Sequence, residues 1–172
     1  LPLVWLNELQ STNVAGVKDN FNDYEPWVEL YNSGSTSISL NGFYLSDTYT
    51  DLTKWAFPAG HSIAGGGFLV IFADGETSDT VAAELHTNFR LPTTSGANWS
   101  LGLARTQNAQ PVVLDYLSGT VGAENEAVGR TPDGDPSSAV VLPRPTPGES
   151  NLASSSNRAP VLGELPDRRV IE

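Results

Sequence analysis

Trp27-Val28-Glu29-Leu30-Tyr31-Asn32, Leu40-Asn41-Gly42-Phe43-Tyr44-Leu45, Lys54-Trp55-Ala56-Phe57-Pro58 and Gly65-Gly66-Gly67-Phe68-Leu69-Val70-Ile71 follow one another in a single stretch of the chain. Each run is short, rich in β-branched, aromatic or large aliphatic side chains, and bounded by Asn, Gly or Pro. That is the pattern of strands separated by tight turns. Val28 and Leu30 alternate with Glu29 and Tyr31, so the first run reads as a strand packed on one face and wet on the other. Phe68 to Phe72 is apolar throughout and reads as a central strand covered on both faces.

The same grammar extends outward. Val4-Trp5-Leu6, Trp99-Ser100-Leu101-Gly102-Leu103, Val112-Val113-Leu114-Asp115-Tyr116 and Val140-Val141-Leu142 are further strand candidates. The 16 glycines and 12 prolines punctuate them at intervals suited to two packed sheets. No window sustains a helical period; the best helical candidate, Thr80 to Leu85, allows about two turns at most. The expected fold is all-β, a sandwich.

Composition narrows the setting. At 172 residues the chain can bury a sizeable core without covalent staples, and having no cysteine it must do so by packing alone. Nine Lys and Arg against 20 Asp and Glu give a formal charge of −11, and the basic residues form no cluster beyond Arg168-Arg169. Nucleic acid and anionic lipid are therefore excluded as partners on electrostatic grounds. No run approaches the roughly 18 apolar residues of a spanning helix, so membrane insertion is not expected. The acidic surface favours cationic partners or metal ions.

Beyond Pro143 the character changes, with Pro143-Arg144-Pro145-Thr146-Pro147-Gly148 and Ser154-Ser155-Ser156-Asn157 reading as an exit and a linker. The expected division is a domain over residues 1–150, then a linker at 151–172 that opens a following immunoglobulin-like or cadherin-like repeat at Asn157-Arg158-Ala159-Pro160-Val161.

The ordered motifs resemble the lamin tail domain. They are the strand ending in Asn32, Leu40-Asn41-Gly42-Phe43, the aromatic strand closing on Phe57-Pro58, Ser62-Ile63, the Gly65–Gly67 turn into Phe68–Ala73, and the Asp74-Gly75 exit. Leu85-His86-Thr87-Asn88-Phe89-Arg90-Leu91 and Gly129-Arg130-Thr131-Pro132-Asp133-Gly134 are similar to bacterial members. The resemblance covers roughly residues 3 to 150. It implies an immunoglobulin-like β-sandwich and a non-catalytic structural or interaction module, extracellular or at a bacterial cell surface, within a multidomain protein. The expected partners are a protein or a surface glycan, with edge-strand self-association as a further route.

Candidate chemistry is sparse. Gly60-His61-Ser62-Ile63-Ala64 with Asp74 and His86 imitates a hydrolase triad in chain order, but Pro58 before it and the glycine turn after it deny the strand-serine-helix elbow. No catalytic residue is therefore assigned. Asp19, Asp23 and Glu25 offer clustered hard oxygens that suit calcium, without EF-hand spacing; the alternative is a solvated loop whose Asn and Asp bond to their own backbone. Trp27, beside Tyr24 and Pro26, is the tryptophan most expected to be exposed for sugar stacking. Carbohydrate or calcium binding is thus the alternative function. Asp133-Gly134-Asp135 reads as a tight turn.

Overall fold

The computed structural model describes residues 3–151, and the expected linker and following repeat lie outside the described residues apart from Asn151. The strands are β1 (Val4–Gln10), β2 (Trp27–Asn32), β3 (Ile38–Ser39), β4 (Phe43–Ser46), β5 (Trp55–Ala56) and β6 (Ser62–Ile63). Then follow β7 (Phe68–Phe72), β8 (Leu85–His86), β9 (Asn98–Gln107), β10 (Gln110–Thr120), β11 (Val128–Arg130) and β12 (Ala139–Val141). Two sheets, β12-β11-β1-β2-β7-β8 and β10-β9-β4-β5, face each other, and β3-β6 forms a small third ladder. All pairs are antiparallel except β7 with β8. The protein is an immunoglobulin-like β-sandwich, as its sequence implies. Thr80 to Leu85 is not helical; a 3₁₀ turn at Thr77–Asp79 precedes it.

One core fills the space between the sheets, with Val4, Leu6, Leu9, Val28, Leu30 and Ile71 meeting Phe43, Leu45, Trp55, Trp99, Leu101 and Leu103. β1 supplies it in an unusual phase. Val4 and Leu6 are even positions and Leu9 is odd, because a bulge between Leu6 and Glu8 inserts Asn7 as an extra residue. The bulge adds Glu8 and Gln10 to Trp5 and Asn7 on the opposite, outer face of the sheet, where Glu8 lies directly across from Glu29 and Gln10 from Trp27.

That outer face is roofed, which corrects the expectation of a strand wet on one side. Residues 11–25 pass over one end of it, with Gly16 against Gln10. Residues 131–151 cover the other, beginning with the turn at Pro132–Asp135, where Gly134 at φ 71° packs on Trp5 and Tyr31. The segment read as an exit is a strap. The Thr146 amide and hydroxyl donate to Glu8, the Gly148 amide to Glu29, and Asn151 Nδ2 to the carbonyls of Asn7 (3.1 Å) and Arg130 (2.9 Å). Asn7 Nδ2 in turn bridges Glu29 and Asp133. Glu8 and Glu29 are fully buried, and desolvation pushes their pKa values up to about 7 and about 8 against the lowering effect of these hydrogen bonds. The domain therefore extends through Asn151.

The apolar run at β7 is also not fully covered. β8 pairs only with Ile71 and Phe72, so Phe68, Leu69 and Val70 stand at an edge and are half-buried. Among the longer strands, the one buried along its whole length is β1, despite its four polar or indole-bearing outer side chains. Where β1 lacks a strand neighbour, a side-chain pair replaces it: Asp115 accepts the Leu6 amide (2.9 Å), Arg130 Nε donates to the Leu6 carbonyl (2.8 Å), and Arg130 Nη2 meets Asp115 at 2.7 Å. A second bulge, at Leu114, turns Asp115 inward to reach it.

Candidate functional site

Two features stand out from this scaffold: a buried cluster around His86 and an apolar surface on the long β9–β10 hairpin. The cluster starts with the parallel pairing of β8 on β7, which sets His86 beside Phe72 with their rings stacked 5.4 Å apart. Thr80 Oγ1 accepts the His86 amide at 3.0 Å and fixes the short strand. Two residues past β7, Asp74 Oδ1 accepts the Glu76 amide, and Asp74 Oδ2 lies 2.6 Å from His86 Nδ1. Glu84 Oε1 takes the other ring nitrogen at 3.2 Å and the Asn20 amide at 2.7 Å.

The third member arrives from the loop between β1 and β2. Asp19 Oδ1 accepts the amides of Phe21 (3.0 Å) and Asp23 (2.8 Å), a local cap that turns its carboxylate toward the sheet. Asp19, Asp74 and His86 each place one ligand-type atom within 4.8 Å of the others. All three are buried, at 8%, 4% and 0% exposure. Burial alone would lower the pKa of His86, but the hydrogen bond and charge of Asp74, with Glu84 adding, hold it above the ordinary imidazole value. An imidazole bracketed on both nitrogens by carboxylates has no nitrogen left to take a proton from a serine. Ser62 sits in the β3–β6 ladder with an exposed side chain, so the triad-like order in the sequence does not become a triad.

Of the expected calcium ligands, Asp19 enters this cluster while Asp23 and Glu25 go elsewhere. Asp23 is exposed and contributes its backbone to the Asp19 cap; Glu25 pairs with Arg90. Trp27 is the clear correction. It is completely buried, its indole N–H donates to Gln10 Oε1 at 2.8 Å, and the roof over the sheet removes it from any sugar. Trp5, Trp55 and Trp99 are buried too, so no tryptophan offers a stacking platform.

The exposed aromatic surface lies on the other sheet. Tyr49, Leu52, Val113 and Tyr116 line a shallow, apolar depression. Tyr116 is 65% exposed and Tyr49 46%, their rings meeting edge to face at 6.2 Å, and the Tyr49 hydroxyl donates to the Leu117 carbonyl at 2.7 Å. Sequence reading passed over this surface, although a signal was present: between Thr106 and Thr120 the only charged residue is Asp115, and it points inward.

Residues 7–135 match the family model of the Lamin Tail Domain. The chain belongs to the lamin tail domain family. Searches of curated proteins and of solved structures returned no match. The family is a structural, immunoglobulin-like one, not known as catalytic. In this lamin tail domain the matched stretch contains both the His86 cluster and the Tyr49–Tyr116 surface, whereas the strap over Glu8 and Glu29 lies C-terminal to it.

Proposed function

We propose that this lamin tail domain is a non-catalytic interaction module of a secreted or cell-surface bacterial protein, and that it engages a protein partner through Tyr49, Leu52, Val113 and Tyr116. The observation carrying this reading is the exposure of that uncharged, aromatic-bearing surface on a chain of net charge −11. Elsewhere like charges repel neighbours and keep the molecule solvated; here desolvation costs little, and tyrosines suit partly wet interfaces. Loss of Trp27 as a candidate leaves the glycan-binding alternative without its designated residue.

The reading is tested by placing a photo-crosslinking amino acid at Tyr116 and, as a control, at exposed Phe21 of the loop between β1 and β2. The domain is then irradiated on cells that produce the full-length protein. The expected result is one adduct of discrete mass from position 116, competed away by excess wild-type domain but not by Val113→Asp domain. Adducts of equal pattern from position 21, or none from 116, would refute it. So would turnover of a generic ester, phosphate or glycoside that Ser62→Ala abolishes.

A further inference from the structure

We propose that Asp19, Asp74 and His86 form a binding site for one divalent transition-metal ion of the zinc or manganese class. The three ligands come from separate parts of the chain: a loop before β2, the exit from β7, and β8. Their ligand-type atoms nevertheless converge to within 4.8 Å of one another. Tetrahedral metal–nitrogen and metal–oxygen bonds of about 2.0–2.2 Å put ligand atoms about 3.3–3.6 Å apart, so binding draws Asp19 inward by about 1 Å and opens the close Asp74–His86 pair by a similar amount.

The surroundings are organised as they are around bound metals. Asp19 is oriented by two backbone amides through Oδ1, which leaves Oδ2 with no hydrogen bond among the described residues and open to solvent, from which an ion can reach it. Asp74 is oriented by the Glu76 amide. Glu84 holds His86 Nε2, the arrangement in which a carboxylate fixes a ligating histidine from behind and directs its other nitrogen at the ion. That other nitrogen, Nδ1, faces Asp74 Oδ2 across 2.6 Å. An ion in the site displaces the hydrogen between them and spreads the two atoms to about 3.3–3.6 Å.

Charge supports occupancy. Asp19, Asp74 and Glu84 bring three carboxylates to one place, and Arg90 at its rim is engaged by Glu25. Buried carboxylates persist where they are paired or coordinate a metal. The imidazole nitrogen decides the ion class, since calcium and magnesium take oxygen ligands while zinc and manganese accept mixed nitrogen and oxygen sets. The ion thus sits away from the exposed Asp23 and the Arg90-paired Glu25, and is a transition metal, not calcium.

The test uses the tag-free chain, stripped with chelator and titrated separately with Zn²⁺, Mn²⁺ and Ca²⁺. Zinc and manganese at about 100 times their dissociation constant are expected to raise Tm by roughly 5–10 °C, with calcium at the same concentration well below that. Mn²⁺ is expected to broaden the NMR signals of residues 19, 74 and 86 first, with one ion bound per chain. Asp19→Asn keeps the Oδ1 acceptor of both loop amides, so it preserves the fold while removing a ligand charge; its zinc affinity should fall by at least about tenfold. Broadening centred elsewhere, Asp19→Asn binding like wild type, calcium matching zinc, or no shift with either transition metal would each overturn the proposal.

Discussion

Replacing Glu8 by Gln should remove a pH dependence that is built into the roof of the sheet. Glu8 accepts the Thr146 amide and hydroxyl where water is excluded, and burial lifts its pKa from 4.5 to about 7 in the folded chain. A carboxyl that holds its proton more tightly when folded favours folding at low pH; its contribution is lost as pH rises from 4.5 to about 7 and stays lost above. That interval corresponds to roughly 3 kcal/mol. Gln does not titrate, yet it fits the same bonds. Its carbonyl accepts the Thr146 amide, its NH₂ donates to Thr146 Oγ1, and the single hydrogen of that hydroxyl, no longer shared with a carboxylate, goes to Asn151 Oδ1 at 2.8 Å. Near pH 5 the two proteins should agree within about 1 kcal/mol, and near pH 8 the variant should be more stable by up to about 3 kcal/mol, or roughly 6–12 °C in Tm. Urea unfolding at a series of pH values, followed by emission of the four buried tryptophans, measures the difference. Acids remote from Glu8 cancel in it, whereas Glu29, directly opposite, loses a repelling charge in the variant and shifts the difference in the same direction. Parallel profiles from pH 5 to pH 8, or a variant less stable than wild type above pH 7, would refute the reasoning.

Two further outcomes follow from the framework. Arg130→Met leaves Asp115 buried without its cation and the Leu6 carbonyl without its donor, so it should cost about 3–5 kcal/mol, seen as a fall in Tm on the order of 10 °C; adding Asp115→Leu should recover only part, because the Leu6 amide then loses its acceptor as well. Ala109→Gly should stabilise by about 1 kcal/mol in chemical denaturation, since Asn108 and Ala109 at φ 51° and 62° form a two-residue hairpin turn that strains a Cβ at the second position.

The fold was legible because its punctuation is local. Leu40-Asn41-Gly42-Phe43 closes on itself through the Phe43 amide and the Leu40 carbonyl, and Asp133-Gly134 does the same through Asp135 and Pro132. What escaped reading depends on distant residues. Trp27 and Glu29 alternate with Val28 and Leu30 as an exposed face should, and nothing nearby announces that the β1–β2 loop will roof the Gln10–Trp27 end or that Gly148 will bond Glu29. The Asn7 bulge was equally silent, since Val4, Leu6 and Leu9 betray a change of phase only once they are known to share a core. In the candidate metal centre, Asp19 was found for its oxygens and Asp74 with His86 for a triad they do not make. Their union required the pairing of β8 on β7, a two-residue contact too brief to leave a period in the sequence.

The strap also has a schedule. Asn7, Glu8 and Glu29 leave the ribosome well before the strap, whose groups bond to them from 119 to 144 residues further along the chain. Throughout that delay the two glutamates sit in water with ordinary acidity and are charged. A nascent sheet whose unfinished side bears adjacent negative charges is a poor template for neighbouring nascent chains, so the same carboxylates that weaken the finished domain at alkaline pH guard it during synthesis.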